Sequence, residues 1–575
     1  MGKLTEFLRP YRAFVAVVVV LTFLQTLSSL YLPNLMSDIV DTGIIRGDEG
    51  YILREGGLML GVTVLGGVAS VIARFYGAKA TAGFGKLLRS QIFGHVEHFT
   101  LKEFDEIGTS SLIVRSTNDV MQVQQFVNML LSMMVMAPLT AIGGIVLAVR
   151  TDASLSLVIV FVVPAMGLVI WLLMRQGFAL FRSIQKKVDR LNLVLRENLT
   201  GVRVVRAFGR VPYEVQRFDL ANRDLTDTSV RVFQIMATLM PVVFLIMNFA
   251  MIAIVWFGAD QINAGSLQLG NLMAFIQYVM QIMFAVMMVS MMLFMIPRAQ
   301  ASAVRINEVL ELEPEFRDPK EPKPAPPGPG TIEFRHVTFY YPGGEEPALQ
   351  DISFTARPGE TTAVIGGTGA GKSTLMNLIV RFYEVSEGSV LVDGVDVRDM
   401  RQQDLRQKLG FVPQRATLFT GSVLDNIRYG DPGASSAAAM HAAEIAQAGE
   451  FVMDMEGGLD AEISQGGVNL SGGQRQRLAM ARALVRRTEI YLFDDSFSAL
   501  DFKTDSLVRA ALRRELKGAS VLIVAQRVST VMDADQILVL EEGRLVGAGR
   551  HRELMASCPV YREIVSSQLT PEEIA

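Results

Sequence analysis

Long apolar runs crowd into the first 310 residues of the chain and then stop. A helix needs about 20 largely apolar residues to cross a hydrocarbon core. Six segments approach that length: residues 14–32, 58–73, 126–149, 155–174, 232–257 and 272–296. None carries a central charge, and the second is the weakest because it is short and rich in glycine. One such run could be a buried helix of a water-soluble domain, but six in succession predict an all-helical membrane domain with six spans. The first run lacks a small-residue cleavage site and continues to spanning length, so it reads as a span and not as a secretory signal.

The polar stretches between the runs give an orientation. Lys3, Arg9 and Arg12 precede the first span, and the stretch after the fourth carries Arg175, Lys186, Lys187, Arg190, Arg203 and Arg206. The first connection on the other side is acidic, with Asp38, Asp41, Asp48 and Glu49. Basic loops stay in the cytoplasm, which predicts that both termini are cytoplasmic. The two basic connections are each about 50 residues, far beyond ordinary turn length. Residues 194–206 place apolar side chains at helical spacing, so the spans should continue as helices past the membrane, with tips at 108–119 and 201–214. The sixth span holds Met280, Met283, Met287, Met288, Met291, Met292 and Met295, with Gln277, Tyr278 and Gln281 near its start. Such a stripe serves either helix packing or an adaptable cavity for apolar ligands.

Composition refines this picture. At 575 residues the chain is too long for one core. Half of it is hydrophobic and 19% is charged, and beyond the apolar runs it has ordinary soluble character. A net charge of −4 gives no general attraction to nucleic acid. The lone Cys558 permits no internal disulfide, and no Cys/His cluster suggests zinc.

Residues 313–330 hold a proline-rich, semi-rigid linker, separating a domain over 1–312 from one over 331–575. Past the linker, strand patterns such as 332–334 and 390–392 alternate with helical ones, predicting an α/β domain. The strand at 361–365 runs into Gly366-Gly367-Thr368-Gly369-Ala370-Gly371-Lys372-Ser373, and a helix begins there with Thr374 following. Strand, glycine-rich loop and helix together make a phosphate-binding loop. Its backbone N–H groups converge on phosphates at the positive end of the helix dipole. Lys372 would reach the β- and γ-phosphates, and the Ser373 hydroxyl would ligate Mg²⁺. A second apolar strand, 489–493, delivers two carboxylates, Asp494 and Asp495, to its end.

A phosphate loop alone fits several nucleotide enzymes. Leu470-Ser471-Gly472-Gly473-Gln474, about twenty residues before the carboxylates, resembles the signature of ABC transporters. With six spans fused to one nucleotide-binding domain, the whole chain resembles an ABC exporter half-transporter. That resemblance implies a membrane helical domain followed by an α/β P-loop ATPase, ATP and Mg²⁺ as ligands, and a second half-transporter as partner. Each ATP would then lie between the phosphate loop of one subunit and the Ser471–Gln474 signature of the other. By position, Tyr341 matches the aromatic that stacks on adenine, with Tyr340 as the alternative. Gln414 matches the glutamine that contacts Mg²⁺ and answers to the membrane domain, and Asp494 matches the metal carboxylate. Ser498-Ala499-Leu500-Asp501 matches the loop that communicates across the dimer.

Three departures from the family pattern cluster. Asp495 stands where a catalytic glutamate is usual, one methylene shorter. Gln526 stands where a histidine usually contacts the γ-phosphate, and an amide can neither become cationic nor pass a proton. Gln465 and Gly466 replace the Glu-Arg pair common before exporter signatures. Together these resemble the degenerate-site subunit of heterodimeric bacterial exporters, often multidrug pumps, whose partner supplies the glutamate and histidine. The reading that follows is ATP-driven export of small lipophilic or amphipathic substrates across a bacterial plasma membrane, in contact with membrane lipids. A homodimeric lipid or peptide exporter and an ATP-gated regulatory membrane protein are the alternatives. Importers are disfavoured because their membrane and ATPase subunits are usually separate chains.

Overall fold

The computed structural model describes residues 2–569, apart from the side chains at 2, 3, 174, 177–179, 181, 182, 293 and 294. Two compact units emerge. One takes the chain up to Glu97 and then Thr109–Leu312; the other takes His98–Gly108 and the chain from Glu313 onward.

The first unit is helical. In order, the chain forms α1 (Arg12–Asp38), α2 (Glu49–Val96), a short α3 (Leu101–Ile107) that belongs to the second unit, α4 (Val120–Thr151), α5 (Leu157–Thr200), α6 (Val211–Asn263) and α7 (Leu269–Glu311). Among the described residues, five helical stretches are long and apolar enough to cross a membrane. A sixth, Leu157–Leu173, is a shorter apolar segment that opens α5. The glycine-rich second run lies within a continuous helix of 48 residues, and its mean hydropathy is the lowest of the five. At 1.5 Å per residue that helix is roughly 72 Å long, more than twice a hydrocarbon core. α5 and α6 overrun spanning length in the same way, at 44 and 53 residues.

The first tip lies earlier than the 108–119 the sequence suggests. Thr100 and Glu103 form a capping box that starts α3, and Gly108 ends it at φ +79°. Residues 109–119 are instead helical, and Asp119 is wholly buried against Arg305 and Ser302 of α7. A buried carboxylate needs such a partner, so this stretch is helix packing and not a loop tip. The second tip falls where expected, with Gly201 closing α5 and Gly209 at φ +64° preceding α6. Along the methionine stripe Met283 is buried in helix packing, whereas Met291 is exposed.

The second unit is α/β. A four-stranded antiparallel sheet holds β1 (Ile332–Phe339), β2 (Leu349–Ala356), β4 (Glu387–Val392) and β5 (Val395–Asp396) in the order β2-β1-β4-β5. The larger sheet contains β3 (Thr361–Gly366), β6 (Leu409–Val412), β7 (Ile490–Asp494), β8 (Ser520–Val524), β9 (Gln536–Glu541) and β10 (Arg544–Gly549), in the order β10-β9-β3-β8-β7-β6. Only its β9–β10 pair is antiparallel. Strands covered on both faces read as unbroken apolar runs, which is why Ile490–Asp494 and Ser520–Val524 are buried at every position. Three helices matter for the site: α8 (Lys372–Ile379), α9 (Gly472–Leu484) and α10 (Phe502–Glu515).

Candidate nucleotide site

Parallel strands carry their C-terminal ends to one edge, and ligands gather there. Here β3, β8, β7 and β6 are consecutive neighbours. Val524 pairs with Val364 on one side and Asp494 on the other, and Val412 pairs with Phe493. The residues just beyond those pairs are the phosphate loop, Gln526, the two aspartates and Gln414. Sheet register alone thus assembles side chains that lie up to 160 positions apart, from Gly366 to Gln526.

The phosphate loop is shaped by its glycines. A Cβ on Gly366 would lie 2.1 Å from the Leu540 carbonyl oxygen. Gly371 sits at φ +93°, and a Cβ there would meet the Ala348 carbonyl oxygen at 2.7 Å. Lys372 Nζ donates to the Gly366 and Gly367 carbonyl oxygens at 2.8 and 2.6 Å, so the ammonium lies over the loop that would cradle phosphates. Burial pushes its pKa down, although Asp495 and Asp494 oppose the shift. Ser373 Oγ donates to Asp494 Oδ1 at 3.0 Å. Burial pushes the Asp494 carboxyl up, the Ser373 hydrogen bond opposes this, and the Asp495 charge adds to it.

That pair fits a hard divalent cation. Mg²⁺ is held by one or two protein oxygens together with phosphates and water, not by a cage of carboxylates. Among the described residues no cluster of three His, Cys, Asp or Glu side chains competes for such a role. Bound there, Mg²⁺ would neutralise charge on the β- and γ-phosphates, with Ser373 and Asp494 as its protein ligands. Gln414 is placed differently: its amide nitrogen donates to Asp495 Oδ2 at 3.3 Å and not to the Ser373–Asp494 pair.

Asp495 is restrained from three directions. Its backbone lies in the left-handed region, at φ +45°, which is costly for a residue with a side chain. Its N–H donates to the Val524 carbonyl at 3.0 Å. Its Oδ2 accepts Gln526 Nε2 at 3.0 Å as well as the Gln414 amide. The three side chains therefore form one hydrogen-bonded unit at the edge of the site.

Tyr341 reaches the loop as well. Its hydroxyl lies 2.9 Å from Thr374 Oγ1, and its ring is packed edge-on against Phe339 and Tyr383. Tyr340 meets none of these groups through its ring, and its backbone N–H donates to Ser386 Oγ. Thr368, Gly369 and Ala370 complete the loop, with Ala370 N–H donating to the Gly367 carbonyl. The signature stands apart. Ser471 caps α9 through a reciprocal box with Gln474, at 3.2 and 2.8 Å, and Gly472 and Gly473 pack over Ala499. Among the described residues no hydrogen bond or ion pair joins Ser471–Gln474 to the phosphate loop. At Gly466, φ +69° suits glycine and would strain the arginine usual there.

Other residues support the site without a motif to mark them. Gln476, one turn along α9 from Gly472, donates to the Gln414 carbonyl and accepts the Ala499 N–H, both at 3.4 Å. Arg527 donates to the Leu500 and Ser498 carbonyls. Gln568, closing α11 (Pro559–Gln568), bonds the Gln526 carbonyl and the Val528 N–H. In α3, Asp105 accepts the Tyr383 hydroxyl at 3.4 Å, Glu103 accepts the Glu315 N–H, and Leu101 packs on the domain core. Burial and the Asp105 charge push the Tyr383 hydroxyl up to about 12. A helical face could have suggested Gln476; nothing local could have joined Asp105 to Tyr383 across 278 residues.

Comparison with known proteins agrees with this layout. Residues 15–286 match the ABC transporter transmembrane region and 349–498 match the ABC transporter domain. An uncharacterized ABC transporter ATP-binding protein of Mycobacterium tuberculosis is 44% identical over 99% of this chain and 98% of its own length. The uncharacterized ABC transporter ATP-binding protein YfiB of Bacillus subtilis is 38% identical over 100% and 99%. The ATP-dependent lipid A-core flippase of Yersinia pestis is 31% identical over 98% and 96%. A solved bacterial Atm1-family ABC exporter with ATP bound superposes with a TM-score of 0.80 at 25% identity, covering 97% of this chain and 98% of that one. An apolar helical domain fused to a phosphate-loop ATPase, alike over its whole length to such proteins, belongs to the ABC transporter family as an exporter half-transporter.

Proposed function

We propose that this chain is one half of a heterodimeric exporter of amphipathic or lipophilic molecules, and that its own ATP site binds nucleotide but turns it over poorly. The observation that carries this reading is the Asp495 carboxylate, one methylene short and held by the Gln414 and Gln526 amides. A general base must come within about 3 Å of the proton it takes, directly or through one water. Its Oδ2 is already taken up by two amide donors and is not free to orient a water, and an amide at Gln526 cannot relay a proton as an imidazole would. The intact Ser471–Gln474 helix terminus would complete a competent site on a partner that supplies the glutamate and histidine. The membrane is that of a bacterial cell, with both termini cytoplasmic.

ATP would act by favouring the closed arrangement of two nucleotide domains, and only its differential affinity for that arrangement can shift the balance. Moving a 1:99 ratio to 99:1 takes about 5.5 kcal/mol, within reach of two interfacial nucleotides. The direct test is the purified chain alone. A homodimer hydrolysing ATP at roughly ten turnovers per second, an ordinary enzyme rate, would sink the heterodimer. A second reading, a homodimeric lipid exporter, is favoured by the likeness to a lipid A-core flippase. Co-purification of a second half-transporter with the natively expressed chain separates the two.

A further inference from the structure

We propose that the membrane unit carries a binding cavity for an amphipathic anion, with Arg74 as the counter-charge for its acidic head group. This rests on the export reading above and narrows its substrate class. A cavity of about 460 Å³ opens among α1, α2, α4 and α7. Its apolar wall comes from Val18, Leu131, Met133, Met136 and Met288. Interleaved with it are six polar side chains in pairs at helical spacing: Thr22 and Gln25, Ser70 and Arg74, Asn128 and Ser132. Residues three or four apart share a helix face, so three helices each turn a polar stripe toward one space.

Among the described residues Arg74 is the only ionisable group lining the cavity. Among the described residues no carboxylate pairs with it. The ordinary explanation for a basic residue near a span end is that it reaches for the interface, and Lys79 does this role on the same helix. Lys79 Nζ lies 5.1 Å from the Phe14 ring, at the start of the first apolar run. Arg74 lies five residues closer than Lys79 to the apolar run 58–73, roughly 7.5 Å by helical rise, and directly follows its last residue. A charge at that depth normally faces a polar cavity and marks a substrate path. The guanidinium forks onto carboxylate and phosphate oxygens, while the neighbouring amides and hydroxyls complete a head-group shell. The flexible methionines in the lining, Met133, Met136 and Met288, suit an acyl chain of no fixed shape.

The test uses the assembled transporter in phosphatidylcholine nanodiscs, titrated with fluorescent phosphatidylglycerol and with phosphatidylcholine bearing the same chains. The wild type should prefer the acidic lipid. Arg74→Gln should lower the ratio of acidic to neutral affinity about tenfold, the scale of one charge-assisted pair. Arg74→Lys should restore part of that ratio, and Lys79→Gln should leave it as it was. An unchanged ratio in Arg74→Gln, or an equal fall in Lys79→Gln, overturns the proposal. Competition by glycerol 3-phosphate as strong as by the lipid overturns the amphipathic part. Transport is scored separately with neutral and cationic lipophilic probes: their ATP-driven movement upholds export even if the acidic preference is absent, and its failure leaves the binding ratio to decide on Arg74.

Discussion

The two edges of the nucleotide site differ in kind. At one edge Lys372, Ser373 and Asp494 are arranged to hold phosphate and metal, with the Ser373–Asp494 bond already at 3.0 Å. At the other, the Asp495 carboxylate is closed into a knot by the Gln526 and Gln414 amides, the arrangement from which we propose poor turnover. Holding a nucleotide and cleaving it are thus separable within one sheet edge, because each depends on different strand ends. Binding needs converging donors on β3 and β7; cleavage needs a free carboxylate and an imidazole beyond β7 and β8.

Breaking the first edge should have the largest effect. Lys372→Ala is expected to weaken nucleotide binding about a hundredfold, since a buried ammonium–phosphate contact is lost; titration with a fluorescent nucleotide analogue measures this. Asp495→Ala in the same titration should change affinity less than about threefold, as an edge that does not bind predicts. Equal losses in the two variants would end the distinction.

Rebuilding the second edge comes next. Asp495→Glu combined with Gln526→His should raise hydrolysis at this site by at least about tenfold, within the usual range for general-base catalysis. Asp495→Glu alone should do less, because Gln526 still donates to the carboxylate. The readout is steady-state phosphate release from an assembly whose partner site has been disabled.

The adenine contact should follow. Tyr341→Ala is expected to weaken binding about tenfold by loss of a stacking face, and Tyr341→Phe to lose only the bond to Thr374. Tyr340→Ala should leave binding unchanged, and the reverse pattern would transfer the role to Tyr340.

The smallest effect concerns Asp494. Its folded pKa is raised by burial, so its protonation favours the folded state. That contribution is complete below the ordinary carboxylate pKa and is lost as pH rises through the raised value. At neutral pH, therefore, Asp494→Asn should stabilise the nucleotide-free protein. The same change should abolish stabilisation by Mg²⁺ with nucleotide. Thermal unfolding with and without the ligand pair reads both.

Much of the site was legible before any coordinates because its motifs are local. Gly366–Ser373 is recognised by its own consecutive residues, although the Leu540 and Ala348 carbonyls are what exclude side chains at Gly366 and Gly371, and Ile490–Asp494 declares a buried strand by its own apolar run. The tips were harder: 201–210 is marked by Gly201 and Gly209, but 109–119 looks polar and is helical. Its polarity is consumed by a buried pair with Arg305, 186 positions away. The second apolar run is short and glycine-rich in the sequence, and only the structure shows it as part of a continuous 48-residue helix.

Composition and spacing by themselves determined the membrane character, the α/β motor and the phosphate loop, since each is written in consecutive residues; that Asp495 and Gln526 stand in for a glutamate and a histidine came from the family resemblance. Only the tertiary structure decided that Gln414 and Gln526 close on Asp495, that Tyr341 and not Tyr340 adjoins Thr374, and that Arg74 faces a cavity with Asn128 and Met288. The reason is physical: strand register and helix packing bring together groups with no sequence proximity, and the energy of a hydrogen bond or a buried charge depends on the neighbours so gained.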